Sequence, residues 1–514
     1  MLTTEMIERG ARRFADRTAV LFGDERRTFA EVDALANRIA NVLVDRFGVT
    51  PGRRIGLLSN NALYSLSLDF GCVKTRGVRV PLNPRLSAVE QAAMLTGMKV
   101  DLLLHGPDLV ERARELKAAV PGLVALGLGA DGAGEDLLAL AAVAPDTAPP
   151  VGEPQPDEVV LALYTSGTTG TLKAAEHTQA SYAAVVLNVL NNLIDPAEGE
   201  VMLHAASMIH ASGVFVLPFW LRGGASAILP GFTPASYVEA IRRWRPSALN
   251  LVPTMIGMVL DHPGVRPADF DSVHTLLYGA SPMPLPLMDR ALAFFGPRLV
   301  QYYGQTEAPL AITALSKADH APEAAHRRLA CGFPAVDCEV RLIDETGAPV
   351  PTGEAGEIVV RAPFMMKGYF DAPELNAHHF LPGGWLRTRD VGRFDADGCL
   401  YLVDRVSEMI VTGGYNVYPK EVEDVLAAHP AVRAAVVVGL PDDQWGEAVT
   451  GFVVLRDGQT PSPEALIAFA RERLAGYKVP KAVRFIDEVP LSPVGKPLRR
   501  AIRDPFWEGR ERRI

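Results

Sequence analysis

YTSGTTGTLKAAEHT, Tyr164 to Thr178, is the stretch on which the fold turns. Seven of its first ten positions are Gly, Ser or Thr, and Lys173 closes the ten. The apolar run VVLALY before it reads as a strand, and ASYAAVVLNVL after it reads as a helix. A small-residue loop between strand and helix is the joint of an α/β unit. Glycines let backbone approach a ligand closely, and N–H groups and hydroxyls present donors to phosphate oxygens. Lys173 adds positive charge. The spacing is not the GxxxxGK[ST] of P-loop nucleotide hydrolases. The loop therefore reads either as a different phosphate loop or as a flexible surface loop.

The same alternation continues outward. TFAEVDALANRIANVLVDRFG, opened by Thr28 and closed by Gly48, has helical spacing. RIGLLSN reads as a buried strand, and GVRVPLNPRL as a short strand broken by Pro81 and Pro84. Residues 128–157, rich in Ala, Gly, Asp and Pro, read as a surface connection. SAILPG, ALNLVPT and TLLYGAS are short strands ending in small residues, which implies a mostly parallel sheet covered by helices. Between about 330 and 404, CEVRLID, GEIVVRA and GCLYLVD separated by Gly-rich turns suggest a small antiparallel barrel or sheet. After Arg405, PKEVEDVLAAHP and SPEALIAFARERLA read as helices, and VRAAVVVGL and AVTGFVVL as strands. A chain of 514 residues is too long for one core. The expected division is residues 1–404, α/β subdomains on parallel sheets plus a β-barrel-like part, and residues 405–514, a small α/β domain.

Bulk properties narrow the function classes. The net charge of −9 argues against a general nucleic-acid binder. Cys72, Cys331, Cys338 and Cys399 form no CxxC pair, and no His cluster has metal-ligand spacing. Free thiols fit a reducing cytoplasm. MLTTEMIERGARRF is acidic early and lacks an apolar core, so it does not read as a signal peptide, and no run is long and apolar enough for an integral membrane segment. A cytoplasmic enzyme is expected.

Four further stretches carry chemistry. In QYYGQTEAPL, Thr306 offers a hydroxyl to phosphate, Glu307 a hard oxygen for Mg2+, and Tyr303 a flat face for a base. In GWLRTRDVGRFDADGCLYLVDR, Asp390 can accept from two ribose hydroxyls and Arg405 can donate to ribose or phosphate; the alternative is a surface ion pair. In LSPVGKPLRR, Lys496 follows Gly495 on a turn. YGASPMP contributes a further small-residue turn.

Taken together, across nearly the whole chain, these stretches resemble the acyl-adenylate-forming superfamily: acyl-CoA synthetases, peptide-synthetase adenylation domains and firefly-type luciferases. YTSGTTGTLK is similar to its phosphate loop, YYGQTE to its Tyr-Gly-x-Thr-Glu, and YGASPMP to its adenine-site turn. DRVSEMIVTGGYNVYPKEVE resembles the opening of its small C-terminal domain, and PLSPVGKPLRR its terminal lysine motif. The resemblance implies two half-reactions: a carboxylate attacks the α-phosphorus of ATP, releasing pyrophosphate, and a nucleophile, most often the thiol of coenzyme A, displaces AMP. It implies Thr165, Ser166, Gly167, Thr168, Thr169, Gly170 and Lys173 on the β- and γ-phosphates. Thr306 is implied on the α-phosphate and Glu307 on Mg2+, with Gly279, Ala280, Ser281 and Tyr303 around adenine. Asp390 and Arg405 are implied on ribose, and Lys496 between the attacking carboxylate and the α-phosphate. The small domain is expected to turn between steps about Ser407, bringing Gly413 and Gly414 to the thiol tunnel.

The resemblance also places the acyl pocket, with His210 as a gate beside the carboxylate and Ser212, Val252, Ala280, Tyr302 and Gly304 around it. Tyr302 is bulky where many fatty-acid ligases have Gly, which favours a compact, aryl or medium-chain acid. Trp445, Tyr477, Lys478 and Lys481 match contacts to the CoA nucleotide. An amine acceptor, giving an amide, is the alternative. A homodimer is kept open. The chain departs from the family pattern at Leu172 and Ala174, which flank Lys173 where Pro and Gly are usual. Arg389 stands where Gly is usual, and Ser407 where Asp or Lys is usual.

Overall fold

The computed structural model describes residues 1–129, 134–165, 173–208, 211–281, 283–405, 408–412, 415–442, 445–491 and 497–508; for residues 211, 404, 405, 415 and 416 only the backbone is described. The described residues form an α/β architecture around four sheets. One nine-stranded sheet has a parallel centre: Thr18–Phe22, Ala225–Ile228, Val201–His204, Ala248–Leu251, Thr275–Gly279 and Leu299–Gln305. An eight-stranded sheet runs parallel through Val159–Thr165, Val78–Pro81, Arg54–Leu58, Leu102–His105 and Val124–Gly127. The strands are nearly continuous apolar runs because helices cover both faces. The helix read over 28–48 spans Phe29–Asp45 and starts on a capping box, in which Thr28 Oγ1 accepts from Glu31 N and Glu31 accepts from Thr28 N. At the N-terminus, Thr3–Arg13 is a packed helix whose Ile7 carbonyl accepts from buried Trp220 Nε1 at 2.8 Å.

The expected antiparallel part is a separate sheet of Glu339–Ile343, Ala355–Arg361, Trp385–Phe394, Phe380–Leu381 and Leu400–Arg405. The last sheet holds Tyr415–Val417, Ile410–Thr412, Gly446–Leu455, Val432–Asp442 and Ala482–Phe485, with helices Pro419–Ala427 and Pro463–Arg471. None of the described helices is long and apolar enough to cross a membrane.

Two readings need correction. The opening loop does not join a strand to a helix. Lys173–Thr178 is itself a strand, antiparallel to Val159–Thr165, with Thr165 opposite Lys173 and Tyr164 opposite Ala174. The helix Gln179–Asn192 begins only after it, capped by Thr178, whose Oγ1 accepts from Ser181 N at 3.1 Å. Thr165 and Lys173 are thus paired residues of two antiparallel strands, and the helix N-terminus lies at Gln179, six residues beyond Lys173. The second correction is at 128–157, which is not connection alone. Leu137–Ala142 is a short helix with Leu137 and Ala141 buried, and Asp136 caps it. The Ala-rich composition hid this packed turn.

Candidate active site

The hairpin base, the turn Thr306–Glu307 and the short strand Gly368–Tyr369 meet in one place. Thr306 and Glu307 are the two residues between antiparallel strands Leu299–Gln305 and Ala308–Leu315. Gly368–Tyr369 pairs with the hairpin strand, Tyr369 opposite Ala175. Three contacts tie these pieces together. His177 Nε2 lies 2.8 Å from the Thr306 carbonyl, so the ring donates from Nε2. Met366 N donates to the Glu307 carbonyl at 2.8 Å. The Tyr369 hydroxyl donates to Glu307 Oε1 at 2.6 Å. Gln305, with its amide nitrogen turned inward, donates to Glu307 Oε2 at 3.3 Å. Burial pushes His177 down to about 4, so it is a neutral donor near pH 7. The Lys173 ammonium sits 5.8 Å from the centre of the Tyr369 ring and has no ion-pair partner among the described residues.

This donor set suits a hard divalent cation. Glu307 offers carboxylate oxygens next in sequence to Thr306, and its partner Tyr369 lies under the Lys173 ammonium. No group of three or more His, Cys, Asp or Glu residues that could hold a metal occurs among the described residues. A single carboxylate completed by phosphate oxygens and water is the usual Mg2+ arrangement in nucleotide sites.

Asp390 is 5% exposed, which removes the surface ion-pair reading. Its Oδ2 accepts from the Tyr303 hydroxyl at 2.7 Å, and it lies opposite Arg405 on the neighbouring strand. The backbone explains its aim. Opposite Glu357–Val359, the strand Trp385–Phe394 spends five residues, Arg387–Val391, where three would match. This bulge turns the segment inward. The Thr388 hydroxyl donates to the Ile358 carbonyl at 2.8 Å and accepts from Asp390 N at 3.1 Å. Arg389 at the bulge has φ +63°, the conformation a glycine takes most easily. Its guanidinium lies 3.6 Å from Glu357, which also pairs with Arg387.

Gly279, Ala280 and Ser281 follow strand Thr275–Gly279, with Gly279 in register with Tyr302. A Cβ on Gly279 would lie 2.4 Å from the Tyr302 carbonyl and 2.8 Å from its ring, so only glycine lets the tyrosine pack there. Ala280 turns the chain with φ +64°. Gly304 is equally confined, since its Cβ would lie 2.3 Å from the Leu310 carbonyl oxygen. Tyr302 is buried and its hydroxyl donates to Asn250 Oδ1 at 3.1 Å across the sheet. Ser212 is also buried, with Oγ 3.0 Å from His204 Nδ1. Val252 is half-buried at the start of helix Pro253–Leu260.

In the small domain, Trp445, Tyr477 and Lys481 line one concavity with Thr412 and Gly476. The Lys481 ammonium is 4.8 Å from the Trp445 ring centre. Trp445 and Tyr477 are 39% and 37% exposed, high for such large rings. Lys478 is drawn off to Glu421, 2.7 Å from both carboxylate oxygens. Ser166, Gly167, Thr168, Thr169, Gly170, His210, Ser407, Gly413, Gly414 and Lys496 lie outside the described residues, as does the side chain of Arg405. The sequence reading missed His177, His204, Asn250 and Tyr369. The first was in plain view inside the opening stretch, but nothing local marks its partner Thr306.

Comparison with known proteins accords with this geometry. The chain is 37% identical to the medium/long-chain-fatty-acid–CoA ligase FadD8 of Mycobacterium tuberculosis, over 98% of this chain and 90% of that protein. It is 38% identical to a feruloyl-CoA synthase of an Amycolatopsis species, over 97% and 98%. Among solved structures, the amide bond synthetase McbA from Marinactinospora thermotolerans superposes with a TM-score of 0.89 at 32% identity, covering 98% and 99%. Residues 7–370 match the model of the AMP-binding enzyme family and residues 421–496 that of its C-terminal domain, and the chain belongs to this family.

Proposed function

We propose that this protein is an ATP-dependent acyl-CoA ligase that activates a carboxylic acid as its adenylate, releases pyrophosphate and passes the acyl group to coenzyme A. The attack of one anion on another needs positive charge and donors set in place beforehand. Lys173, Thr165 and residues 166–170 would hold the β- and γ-phosphates, and Thr306 the α-phosphate. Mg2+, held by Glu307 and phosphate oxygens, would offset the charge that develops there. Tyr303 with Gly279, Ala280 and Ser281 would frame adenine, and Asp390 with Arg405 the ribose. Lys496 would neutralise the attacking carboxylate, then leave as residues from about 405 onward turn at Ser407 and bring Gly413 and Gly414 to the thiol.

The observation that carries the CoA reading is the convergence of Trp445, Tyr477 and Lys481 on one concavity beside Thr412. Two aromatic faces and an ammonium suit an adenine and its phosphates. The Tyr302–Asn250 hydrogen bond closes the acyl side with a polar bar, which supports a compact, aryl or medium-chain acid over a long straight chain. His210 would gate the carboxylate. The similarity to an amide bond synthetase keeps an amine acceptor as the second reading. We place the activity in the cytoplasm, acting as a monomer or homodimer.

Pyrophosphate release from ATP·Mg2+ with a panel of benzoates, cinnamates and C4–C16 fatty acids tests the first step, and its absence with every acid would sink the reading. Mass spectrometry with CoA or with amines tests the second, and an amide formed in place of a thioester would move the assignment to the alternative.

A further inference from the structure

Resting on the ATP reading above, we propose that Tyr369 is a positioning residue of the metal–phosphate site, holding the Glu307 carboxylate in the orientation that binds the cation. The hydroxyl reaches Glu307 Oε1 at 2.6 Å and the turned Gln305 amide reaches Oε2 at 3.3 Å, so the carboxylate is held from both sides while each oxygen keeps a further lone pair for a metal. The phenol is buried, 5% exposed, so water does not compete for this contact.

What makes the contact a constraint is the anchoring of Tyr369. Its N–H donates to Asn376 Oδ1 at 2.7 Å, and Asn376 Nδ2 donates to its carbonyl at 2.9 Å. Its backbone pairs with the hairpin strand at Ala175. Its ring meets His379 edge-on at 5.2 Å and 86°. The tyrosine therefore cannot follow the carboxylate, and the carboxylate must come to it. The same ring lies under the Lys173 ammonium at 5.8 Å. One side chain thus spans the phosphate hairpin and the turn that carries Glu307, though 62 residues separate it from Glu307. Partners of this kind that orient a metal-binding carboxylate typically change metal affinity by ten- to a hundredfold when removed.

The test uses the full-length chain without acid substrate, with calorimetry reading ATP affinity in Mg2+ and in EDTA. Tyr369→Phe is expected to weaken Mg·ATP binding about tenfold while changing metal-free ATP binding less than about twofold. Glu307→Gln should show the same metal-specific loss, and the double variant should bind no more weakly than Glu307→Gln alone. Equal loss with and without Mg2+, or additive losses in the double variant, would overturn the proposal. Should Tyr369→Phe fail to fold, fluorotyrosine-labelled wild-type chain replaces it. One buried tyrosine resonance should then shift when Mg2+ joins the ATP complex and stay fixed in Glu307→Gln; no such difference refutes the role. A wild-type chain that binds no ATP would instead remove the nucleotide reading itself.

Discussion

Acidification should unfold this protein partly through one histidine. His204 ends the strand Val201–His204 and is completely buried. Its Nδ1 lies 3.0 Å from Ser212 Oγ, and its Nε2 has no partner among the described residues. Burial pushes its pKa from the ordinary 6.5 down to about 4. The folded pKa is below the unfolded one, so the unfolded chain takes up the proton first. The neutral-histidine contribution is complete above about pH 6.5 and is lost as pH falls towards 4. Integrating between those values, the loss between pH 7 and pH 5 is about 2 kcal/mol for this residue. His204→Asn keeps a polar atom near Ser212 and cannot titrate. Urea unfolding of wild type and variant at both pH values is the assay. The variant should be less stable at pH 7 yet lose about 2 kcal/mol less on going to pH 5. His177, also held near 4, remains in both chains and drops out of the difference. Parallel pH dependences, agreeing to about 0.5 kcal/mol, would show that His204 is not a buried neutral group, since only a depressed pKa makes the wild type lose more stability than the variant on acidification.

Gly279→Ala should cost about 2 kcal/mol, because a Cβ 2.4 Å from the Tyr302 carbonyl forces the two strands apart; unfolding measures it, and the acid panel should show altered selectivity as Tyr302 shifts. Arg389→Gly should stabilise by roughly 0.5 kcal/mol, the left-handed backbone costing about 1 kcal/mol and the half-exposed contact to Glu357 returning a few tenths; loss of more than about 1 kcal/mol would assign the guanidinium a role beyond that contact. Trp445→Ala should raise the KM for CoA about tenfold, as expected for one lost base stack, with acid-dependent pyrophosphate release unchanged; equal loss in both half-reactions would remove Trp445 from the CoA site.

The parallel sheets were legible because most strands are short apolar runs closed by Gly, Pro or small residues, and several helices carry their own caps, as Thr28 and Thr178 do. Lys173–Thr178 was not. KAAEHT contains no β-branched residue before Thr178 and two alanines that favour helix. It is a strand because Val159–Thr165 pairs with it on one side and Gly368–Tyr369 on the other. Such pairing outweighs a weak local preference. The site divides the same way. Glu307, Thr306 and Asp390 stand in recognisable strings, whereas Tyr369 and His177 act on partners 62 and 129 residues away. Pattern within a window carries no trace of contacts at that separation.

The departures from family glycines, alike on paper, separate once their backbones are known. Ala174 lies in an extended strand opposite Tyr164, buried, with its carbonyl accepting from Phe370 N at 2.9 Å. An L-residue with a methyl group belongs there, and the substitution asks nothing of the hairpin. Arg389 takes the opposite case. Its left-handed φ forms part of the bulge that fits five residues against three, and that bulge is what turns Asp390 inward to Tyr303. The chain therefore keeps a strained residue at a place where relaxing to ordinary strand geometry would swing the Asp390 carboxylate away from Tyr303. The Glu357 contact offsets only part of that strain. Of these two departures, Arg389 is the one that sets the aim of a buried carboxylate, Asp390, without touching it.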